Sequence, residues 1–502
     1  MVNITEQEFL KLTKKGNLIP VSREIPGDLD TPVSVYYKIA HDCDYSFLLE
    51  SVEGEEKIAR YSFLARDPEM VVRSSGQSIS ITGLTGKKPS TVTKKIVGSP
   101  LNYIREIMAP FKLVKVPGLP RFCGGLIGYL GYDTVRFFEN LPNKPKDNEK
   151  LPDILLILAK NSIIFDHRNH KIKIVNCVKV KENDTNARKK TAYKKALRGI
   201  DVLIKEILAP LKAPLRMRCS TISEKDITSN FSETEFKDIV TRAKKQIRAG
   251  EIIQVVLSQR FSVKLKTDPF NIYRMLRTLN PSPYMYYLNF KGIKVVGSSP
   301  ELLVRCEDGV VETRPIAGTR PRGNNEREDL FYVQDLLNDP KEKAEHIMLV
   351  DLGRNDLGRV CEEGSIALSE FMEVEKYSHV MHIVSNVRGK LKKGKDAFDV
   401  LQAAFPAGTV SGAPKIRAME IIDELENISR GPYAGCIGYF SFSGNLDTCI
   451  TIRTIVVNKD KAAIQAGAGI VADSQPRKEY LETVNKAKAQ ILAIKKAHNY
   501  IN

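Results

Sequence analysis

Four acidic residues repeat one spacing in two helical segments that lie far apart in the chain. Glu342 and Glu345 are three residues apart within residues 339–358, and Glu479 and Glu482 repeat that spacing near the C-terminus. Residues three apart share one face of an α-helix. If the two helices face each other across a cavity, their carboxylates would offer the hard oxygen ligands that Mg²⁺ prefers. The pattern alone favours solvent-exposed helix faces, where charged residues usually lie.

The segment RPIAGTRPRG, residues 314–323, has the composition of a loop that could hold an anion. It contains three arginines and two prolines, and the prolines lack a backbone donor. Gly318 permits a backbone conformation or a close approach that a side chain would forbid. Thr319 adds a hydroxyl next to it. Ala317, which has no reactive group, precedes this pair.

Two other segments place small residues where backbone N–H groups could bind a carboxylate. AGAGIVADS (466–474) carries Gly467, Ala468 and Gly469 at a predicted strand end. It lacks the third glycine of a dinucleotide fingerprint. FPAGTVSGAPK (405–415) carries Thr409 before a predicted helix and is not a nucleotide P-loop. Each signal is weak alone.

Arg453 and two histidines are further candidates for a polar site. Arg453 lies in the apolar segment CITIRTIVV, which predicts a strand, so its side chain needs a partner. A substrate carboxylate could bind it with two hydrogen bonds, and a structural ion pair fits the pattern equally well. His379 and His382 have a spacing that could ligate a metal on a helix, but no third zinc-type ligand is near. A histidine in the core and an acid–base histidine both remain open for His382.

The composition is that of a soluble globular protein. The chain has 502 residues, of which 42% are hydrophobic and 27% charged. No apolar run approaches the roughly 20 residues that span a bilayer, and the first residues lack the order of a secretion signal. We therefore expect a cytoplasmic protein without membrane contact. The eight scattered cysteines form no CxxC pair, so a zinc cluster or disulfide framework is not expected.

The net charge of +17 fits either binding of an acidic partner or a lysine-rich solvated surface. The lysines are spread along the whole chain, and no predicted helix combines a basic face with aromatic residues. The surface interpretation is favoured, and no nucleic-acid partner is expected.

The hydrophobic pattern predicts an α+β protein with large, mostly antiparallel sheets. Residues 18–180 read mainly as strands, 181–229 as a helical connector, and 230–493 as a second region. Ser232 and Glu235 form a capping box that starts a helix, and a strand is expected at 251–263. Further helices are expected after Asp268, at 339–358 after Asp339, and at 475–498.

Eight segments occur in an order that resembles the chorismate-utilising enzymes, most closely the anthranilate synthase component I family. They are PIAGTRPRG, AEHIMLVDLGRNDLGRV, YSHVMHIVSNVRG, FPAGTVSGAPK, GPYAGCIGYFSF, LDTCITIRT, QAGAGIVADS and EYLETVNKA. The segment LLESVEGEEKIARYSF resembles the regulatory part of that family. The resemblance covers about residues 18–493 and implies a sandwich of two sheets with helices outside.

The resemblance implies conversion of chorismate and ammonia to anthranilate and pyruvate with Mg²⁺. Glu345 and Glu482 match the metal-binding carboxylates, with Glu342 and Glu479 close by. The positions that match chorismate contacts are Gly318, Thr319, Tyr433, Arg453, Gly467, Ala468 and Gly469. The positions that match catalytic groups are His382, Thr409 beside it, and Glu301, the glutamate proposed in relatives to protonate the leaving hydroxyl.

Two residues distinguish this reaction from those of related enzymes. Relatives that form 4-amino-4-deoxychorismate commonly carry a nucleophilic lysine where this chain has Ala317, and alanine cannot attack the ring. Isochorismate and salicylate synthases carry a lysine that activates water where this chain has Gln254, a poor base. Direct attack by ammonia is therefore expected, and an aminodeoxychorismate synthase component I remains the alternative.

The resemblance also implies a partner and a regulator. The chain shows no glutaminase motif, so a separate glutamine amidotransferase subunit is expected to supply ammonia, which makes a hetero-oligomer. L-Tryptophan is the expected feedback inhibitor. The positions that match its binding site are Ser51, Pro283, Tyr284 and Met285.

Overall fold

The structure, a computed structural model, describes residues 2–52, 60–86, 88–211, 221–377 and 380–499. The elements of the first region, in chain order, are α1 (Glu6–Leu12), β1 (Leu18–Pro26), α2 (Pro32–Ile39), β2 (Tyr45–Glu50), β3 (Tyr61–Arg66), β4 (Met70–Ser75), β5 (Ser78–Gly83), β6 (Ser90–Lys95), α3 (Pro100–Met108), β7 (Gly125–Leu130), β8 (Ile154–Ala159), β9 (Asn161–Asp166) and β10 (Lys171–Lys179). Helix α4 (Asn186–Leu208) then forms the predicted helical connector.

The second region alternates strands with longer helices. Its elements are β11 (Thr228–Ser229), α5 (Glu233–Arg248), β12 (Gln254–Lys264), α6 (Pro269–Leu279), β13 (Tyr284–Phe290), β14 (Ile293–Ser299), β15 (Leu302–Glu307), β16 (Val310–Thr313), β17 (Ile316–Pro321), α7 (Glu326–Asn338), α8 (Pro340–Gly358), β18 (Ala367–Lys376), β19 (Val380–Lys390), α9 (Ala397–Ala404), β20 (Gly412–Ala413), α10 (Lys415–Leu425), β21 (Cys436–Ser441), β22 (Leu446–Ile450), β23 (Thr454–Asn458), β24 (Lys461–Ile470) and α11 (Pro476–Asn499). Short 3₁₀ turns lie at Tyr132–Phe137, Glu224–Asp226 and Gly408–Val410.

The strands form two sheets of twelve strands each. The first follows the order β1-β10-β9-β3-β2-β13-β14-β23-β24-β12-β11, with β20 also paired to β12. The second follows β17-β19-β16-β15-β22-β21-β7-β8-β4-β5-β6, with β18 also paired to β19. The pairings between named strands in the described residues are antiparallel, which confirms the predicted α+β class.

The main core lies between the two sheets and explains why several strands read as continuous apolar runs. In β13, Tyr286, Leu288 and Phe290 point into the layer between the sheets, where Phe290 meets Tyr129 of the opposite sheet. The alternate residue Tyr287 packs on the other face against helices. A strand buried on both faces carries apolar residues at every position.

Helices cover the outer face of the first sheet. Helices α1, α2, α4, α6 and α11 contribute to a second core, and α5 and α10 to a third. The predicted helix starts are confirmed: Ser232 and Glu235 form the capping box of α5, and Asp339 caps α8 through the backbone N–H groups of Lys341 and Glu342. The sandwich with outer helices is thus the architecture of the chain. Within the described residues, no helix is both long and apolar enough to cross a bilayer.

The two regions separated by α4 do not build separate sheets. Strand β2 of the first region pairs with β13 of the second in one sheet, and β7 pairs with β21 in the other. At the second junction Gly125 of β7 lies so close to β21 that a Cβ atom would be 2.0 Å from the Phe440 carbonyl oxygen. The proposed boundary at 181–229 therefore divides the chain in sequence, while both sheets continue across it.

Candidate active site

A cavity of about 600 Å³ gathers residues from both sheets and from α8 and α11. It lies where β17, β12 and β24 approach these two helices. The sequence-predicted residues that line it are Gln254, Glu301, Gly318, Thr319, Glu345, His382, Thr409, Tyr433, Arg453, Gly467, Gly469 and Glu482. Glu342 and Glu479 line it too. Residues more than 200 positions apart in sequence therefore meet at one place.

A larger cleft of about 1250 Å³ borders this cavity at Pro300 and Ile316. Its charged groups are largely paired with each other; Arg314, for example, bonds to both Glu370 and Glu375. The smaller cavity holds charged groups whose pairing is incomplete, and these can act on a ligand.

The carboxylates of α8 and α11 face the same cavity. Glu345 is mostly buried, and burial together with the nearby charges of Glu342 and Glu482 raises the pKa of its carboxyl group. Burial and Glu482 likewise raise the pKa of Glu479. Among the described residues, no three His, Cys, Asp or Glu side chains are close enough to hold a metal by themselves. Mutually repelling carboxylates of this kind fit Mg²⁺, which takes one or two of them and completes its shell with water and substrate oxygens.

Lys486 is one of the cavity residues that sequence reasoning missed, together with Lys341 and Gln465. Its ammonium group lies 2.7 Å from Glu482 Oε1 and donates to the Gly467 carbonyl oxygen at 3.0 Å. Its charge partly opposes the rise that burial causes in the pKa of Glu301 and of Glu345. The signal was present, because Lys486 follows Glu482 by four residues, the spacing of a helical ion pair.

Arg453 lies between two strands, so the prediction that it is part of one was wrong. Strand β22 ends at Ile450 in the second sheet, and β23 starts at Thr454 in the first. The chain thus crosses between the sheets at this point, and Arg453 has a left-handed φ of +50°. A residue other than glycine rarely takes that conformation outside functional or tightly constrained sites.

Arg453 is partly buried, and its guanidinium has no carboxylate partner in the described part of the chain. It donates through Nη1 to the Lys486 carbonyl oxygen at 2.5 Å. Burial lowers its pKa, whereas Tyr433 and Glu482 act in the opposite direction. The structural ion pair, one of the two interpretations of the sequence, is therefore not formed, and the free donors suit a ligand carboxylate.

The glycines of β24 form a wall that admits no side chain. A Cβ atom on Gly467 would lie 2.7 Å from the Tyr433 hydroxyl oxygen, and one on Gly469 would lie 2.9 Å from Gln254 Nε2. Ala468, between them, is fully buried in the core on the opposite face, so only its backbone is near the cavity. Strand β23 pairs with β24 only as far as Ile464, so one backbone edge of 465–470 has no strand partner within the described residues.

The opposite wall comes from β17 and β19. Gly318 has a φ of +70°, and a Cβ atom there would lie 2.9 Å from the Leu336 side chain. His382 Nδ1 lies 2.7 Å from the Gly318 carbonyl oxygen and 3.1 Å from the Thr319 hydroxyl. Because a carbonyl oxygen only accepts, Nδ1 carries the hydrogen. His382 is on a strand and not on a helix, and His379 lies outside the described residues.

The His382 ring is neutral near pH 7. Burial and the charge of Arg453 lower the pKa of His382, and the hydrogen bond to Gly318 only partly opposes them. With Nδ1 protonated, Nε2 of the neutral ring carries a lone pair. The side chain therefore offers a basic nitrogen at the cavity.

Glu301 precedes β15 and is buried at the cavity wall. Burial raises the pKa of Glu301 to about 7, although Thr409 and Lys486 act to lower it. The Thr409 hydroxyl is buried and makes no hydrogen bond of standard geometry in the described residues. A carboxyl group that is half protonated near neutral pH can donate a proton to a ligand.

A second cavity adjoins the larger cleft, with which it shares Tyr61, Arg121, Pro283, Tyr284 and Arg305. It is lined by the predicted regulatory residues Ser51, Pro283, Tyr284 and Met285. The register of β2 and β13 places Met285 opposite Glu50 and so brings the four residues together. The Tyr284 hydroxyl donates to Asp447 Oδ1 at 2.9 Å. Residues 53–59 of the segment that resembles a regulatory region lie outside the described residues.

Comparison with known families agrees with this geometry. A family model described as chorismate binding enzyme matches residues 47–492. Proteins named anthranilate synthase component 1 from Acetivibrio thermocellus and Aquifex aeolicus are each 48% identical, and each alignment covers 98% of both chains.

Solved structures give the same result for the fold. Anthranilate synthase component I from Streptococcus pneumoniae superposes with a TM-score of 0.76 at 37% identity, covering 93% of this chain and 99% of that one. The menaquinone-specific isochorismate synthase of Escherichia coli superposes with a TM-score of 0.69 at 18% identity, covering 97% and 98%, and shares the fold. The resemblance expected from the sequence is confirmed.

Proposed function

The chain belongs to the chorismate-binding enzyme family, and from that premise we propose that it is the large subunit of an anthranilate synthase. The reaction would convert chorismate and ammonia to anthranilate, pyruvate and water. The observation that carries the proposal is the meeting of three different groups in one cavity: a carboxylate pair, a partly buried arginine without an acidic partner among the described residues, and a protonatable glutamate. Chorismate, a cyclic dicarboxylate with a leaving hydroxyl, needs each of them.

The two carboxylates of chorismate would bind at different parts of the cavity. Arg453, with the exposed backbone edge of β24, supplies donors for one of them. Glu345 and Glu482 would hold Mg²⁺ for the other. Bound there, Mg²⁺ would neutralise the charge of the ring carboxylate and orient the ring. The glycines at 467 and 469 let the ligand approach the backbone closely.

Glu301 would act as the general acid of the first step. Ammonia attacks C2 of the ring while the C4 hydroxyl leaves, and that hydroxyl needs a proton to depart as water. The raised pKa keeps a large fraction of Glu301 protonated at neutral pH. The Thr409 hydroxyl lies beside it and can orient the carboxyl group or the departing oxygen.

The second step removes the proton from C2, breaks the bond from C3 to the enolpyruvyl oxygen, and makes the ring aromatic. The neutral His382 ring, with its hydrogen on Nδ1, offers Nε2 as an acceptor for that proton. Gln254 lines the same cavity but has no basic atom of comparable strength. Its amide can orient a ligand and cannot activate water.

The nitrogen would come from glutamine by way of a partner subunit. Ala317 is buried next to Gly318 and provides no nucleophile, so the attacking nitrogen must enter as ammonia. Near neutral pH free ammonia is mostly protonated, which a glutamine amidotransferase subunit would overcome by releasing ammonia at the site. The names of the relatives, component 1, support a second component.

The proposed function predicts a specific product. Given chorismate, Mg²⁺ and an ammonium salt, the purified chain should release blue-fluorescent anthranilate with an equal amount of pyruvate, which lactate dehydrogenase can measure. Glutamine should replace ammonium only when the partner subunit is added. A non-fluorescent product that a lyase converts to p-aminobenzoate would instead identify an aminodeoxychorismate synthase. The absence of chorismate turnover would reject both.

We also propose that the second cavity binds L-tryptophan and that this inhibits turnover. Ser51→Val would place extra bulk in that cavity without touching the active site, so tryptophan should inhibit at least about tenfold more weakly. Turnover without tryptophan should remain close to that of the parent chain. Tryptophan titrations of anthranilate formation measure both quantities. Unchanged sensitivity would place the inhibitor elsewhere.

A further inference from the structure

Arg430 is a fully buried arginine beneath the wall of the active-site cavity. Its side chain is 1% exposed. The guanidinium lies over two tyrosine rings, 4.8 Å from the centre of the Tyr132 ring and 5.6 Å from the centre of the Tyr433 ring. Tyr433 lines the cavity, whereas Tyr132 belongs to the first region of the chain. The planar cation thus fixes one face of a ring whose hydroxyl faces the substrate space.

The hydrogen bonds of Arg430 go to the backbone of two other cavity residues. Nη1 donates to the Val410 carbonyl oxygen and Nη2 to the Val256 carbonyl oxygen, both at 2.7 Å. Val410 follows Thr409 in the turn beside Glu301, and Val256 is part of β12. One side chain therefore ties three separate segments of the cavity wall together.

Glu426 holds the guanidinium in this orientation. Its two oxygens accept from Arg430 Nε at 3.0 Å and from Nη2 at 2.7 Å. Glu426 Oε1 also accepts from the backbone N–H and the hydroxyl of Ser258, each at 2.8 Å. Gln465, which lines the cavity, donates to the same hydroxyl at 2.8 Å. The planar fork of arginine can make these contacts at once, and lysine cannot.

We propose that Arg430 is a positioning residue for the reaction, which sets the Tyr433 hydroxyl and the Thr409 turn against the substrate. A buried ion pair is a weak source of stability, because the cost of removing both charges from water offsets most of their attraction. The contacts of Arg430 instead determine the positions of the segments that form the cavity wall. This inference rests on the proposed function for its assay.

The test is a double-mutant cycle that combines Arg430→Lys with Tyr433→Phe. Arg430→Lys keeps the positive charge but loses the planar guanidinium. The cavity wall should then shift, and kcat/KM for chorismate should fall by up to about 100-fold. If Arg430 acts through Tyr433, the double variant should lose much less than the product of the two single losses. The larger change should fall on KM, because Tyr433 contacts bound substrate.

Arg136→Lys is a matched control for the loss of a buried arginine fork. Arg136 pairs with Asp133 and Asp423 and has none of the cavity residues among its hydrogen-bond partners. It should lose thermal stability without a change in KM. If both variants shift KM alike, or if the effects of Arg430→Lys and Tyr433→Phe multiply independently, Arg430 is a structural residue and the inference is wrong.

A second pair of variants keeps the test decisive if Arg430→Lys fails to fold. Tyr132 contacts the same guanidinium through its ring, and its buried hydroxyl has no hydrogen-bond partner in the described residues. Tyr132→Phe keeps the ring and should leave KM unchanged, whereas Tyr132→Leu removes the ring face and should raise KM several-fold. Equal behaviour of the two would contradict the inference. If instead the parent chain forms no anthranilate, the proposed function has failed and not this inference.

Discussion

Glu301→Gln lowers anthranilate formation by about 100- to 10,000-fold, the range expected when a general acid is removed. The amide keeps the size of the side chain but has no proton to give to the departing C4 hydroxyl. In the parent chain the rate should also fall as the pH rises through about 7, because the pKa of Glu301 is raised to about 7 and only the protonated form donates. Steady-state rates over a pH series measure both effects.

The same variant should be more stable than the parent chain in alkaline solution. The carboxyl pKa rises from an ordinary 4.5 to about 7 on folding, so the folded state binds more protons than the unfolded state between those values and stability falls as the pH rises across them. Glutamine removes this cost. At pH values above the folded-state pKa, the cost is about 3 kcal/mol in the free energy of unfolding. The melting temperature of Glu301→Gln should exceed that of the parent at about pH 8 and approach it at about pH 4.

These two measurements separate catalysis from folding. A variant that loses activity but gains stability indicates a group whose burial costs stability and in return gives the pKa that catalysis needs. Glu301→Asp keeps the acid but shortens its reach and should recover part of the rate. A Glu301→Gln variant with near-normal rates would remove Glu301 from the mechanism.

Glu345→Gln and Glu482→Gln should each lower turnover by roughly 100-fold or more, the loss expected when several kcal/mol of charge stabilisation disappear. Neutral amides are poor ligands for Mg²⁺ compared with carboxylates. The Mg²⁺ concentration needed for half-maximal activity should rise in both variants. Titration of activity with Mg²⁺, and calorimetry of Mg²⁺ with chorismate present, measure the change.

Asp351→Asn is a matched control on α8, because Asp351 is exposed and pairs with Arg354 three residues later. It should leave the Mg²⁺ requirement unchanged. Glu345→Gln should also keep its melting temperature, since removing a charge that burial and Glu342 disfavour does not weaken the fold. An unchanged Mg²⁺ requirement in both glutamine variants would place the metal elsewhere.

The sequence predicted the two helices that carry the carboxylates, but it did not predict that both helices line the same cavity. The cap at Asp339 and the proline that follows it mark the start of α8 locally. Helix α11 (Pro476–Asn499) also begins with a proline. Whether two helices face each other depends on contacts between residues more than 100 positions apart, which periodicity does not encode. The ordered motifs of a resembling family supplied that information, and the cavity brings the motifs together.

Two structural features were not predicted from the hydrophobic pattern of the sequence. The run CITIRTIVV is apolar on both sides of Arg453, because β22 and β23 are both buried, so alternation gave no sign that the chain changes sheet there. Helix α7 was not predicted although its start carries helix signals, a capping Asn325 and an acidic first turn. Its apolar residues Leu330 and Phe331 are exposed, so they do not mark a face that packs on the core.

The two regions share both sheets, so the first region cannot be removed without disrupting the second. Deleting residues 1–180 would strip β13 of its neighbour β2 and β21 of its neighbour β7, leaving bare backbone edges in the middle of both sheets. Such edges pair with other chains and aggregate. If the cavity at Ser51 and Pro283–Met285 binds an inhibitor as proposed, substitutions that line this cavity are therefore the route to an insensitive enzyme, because removing residues 1–180 would also open both sheets.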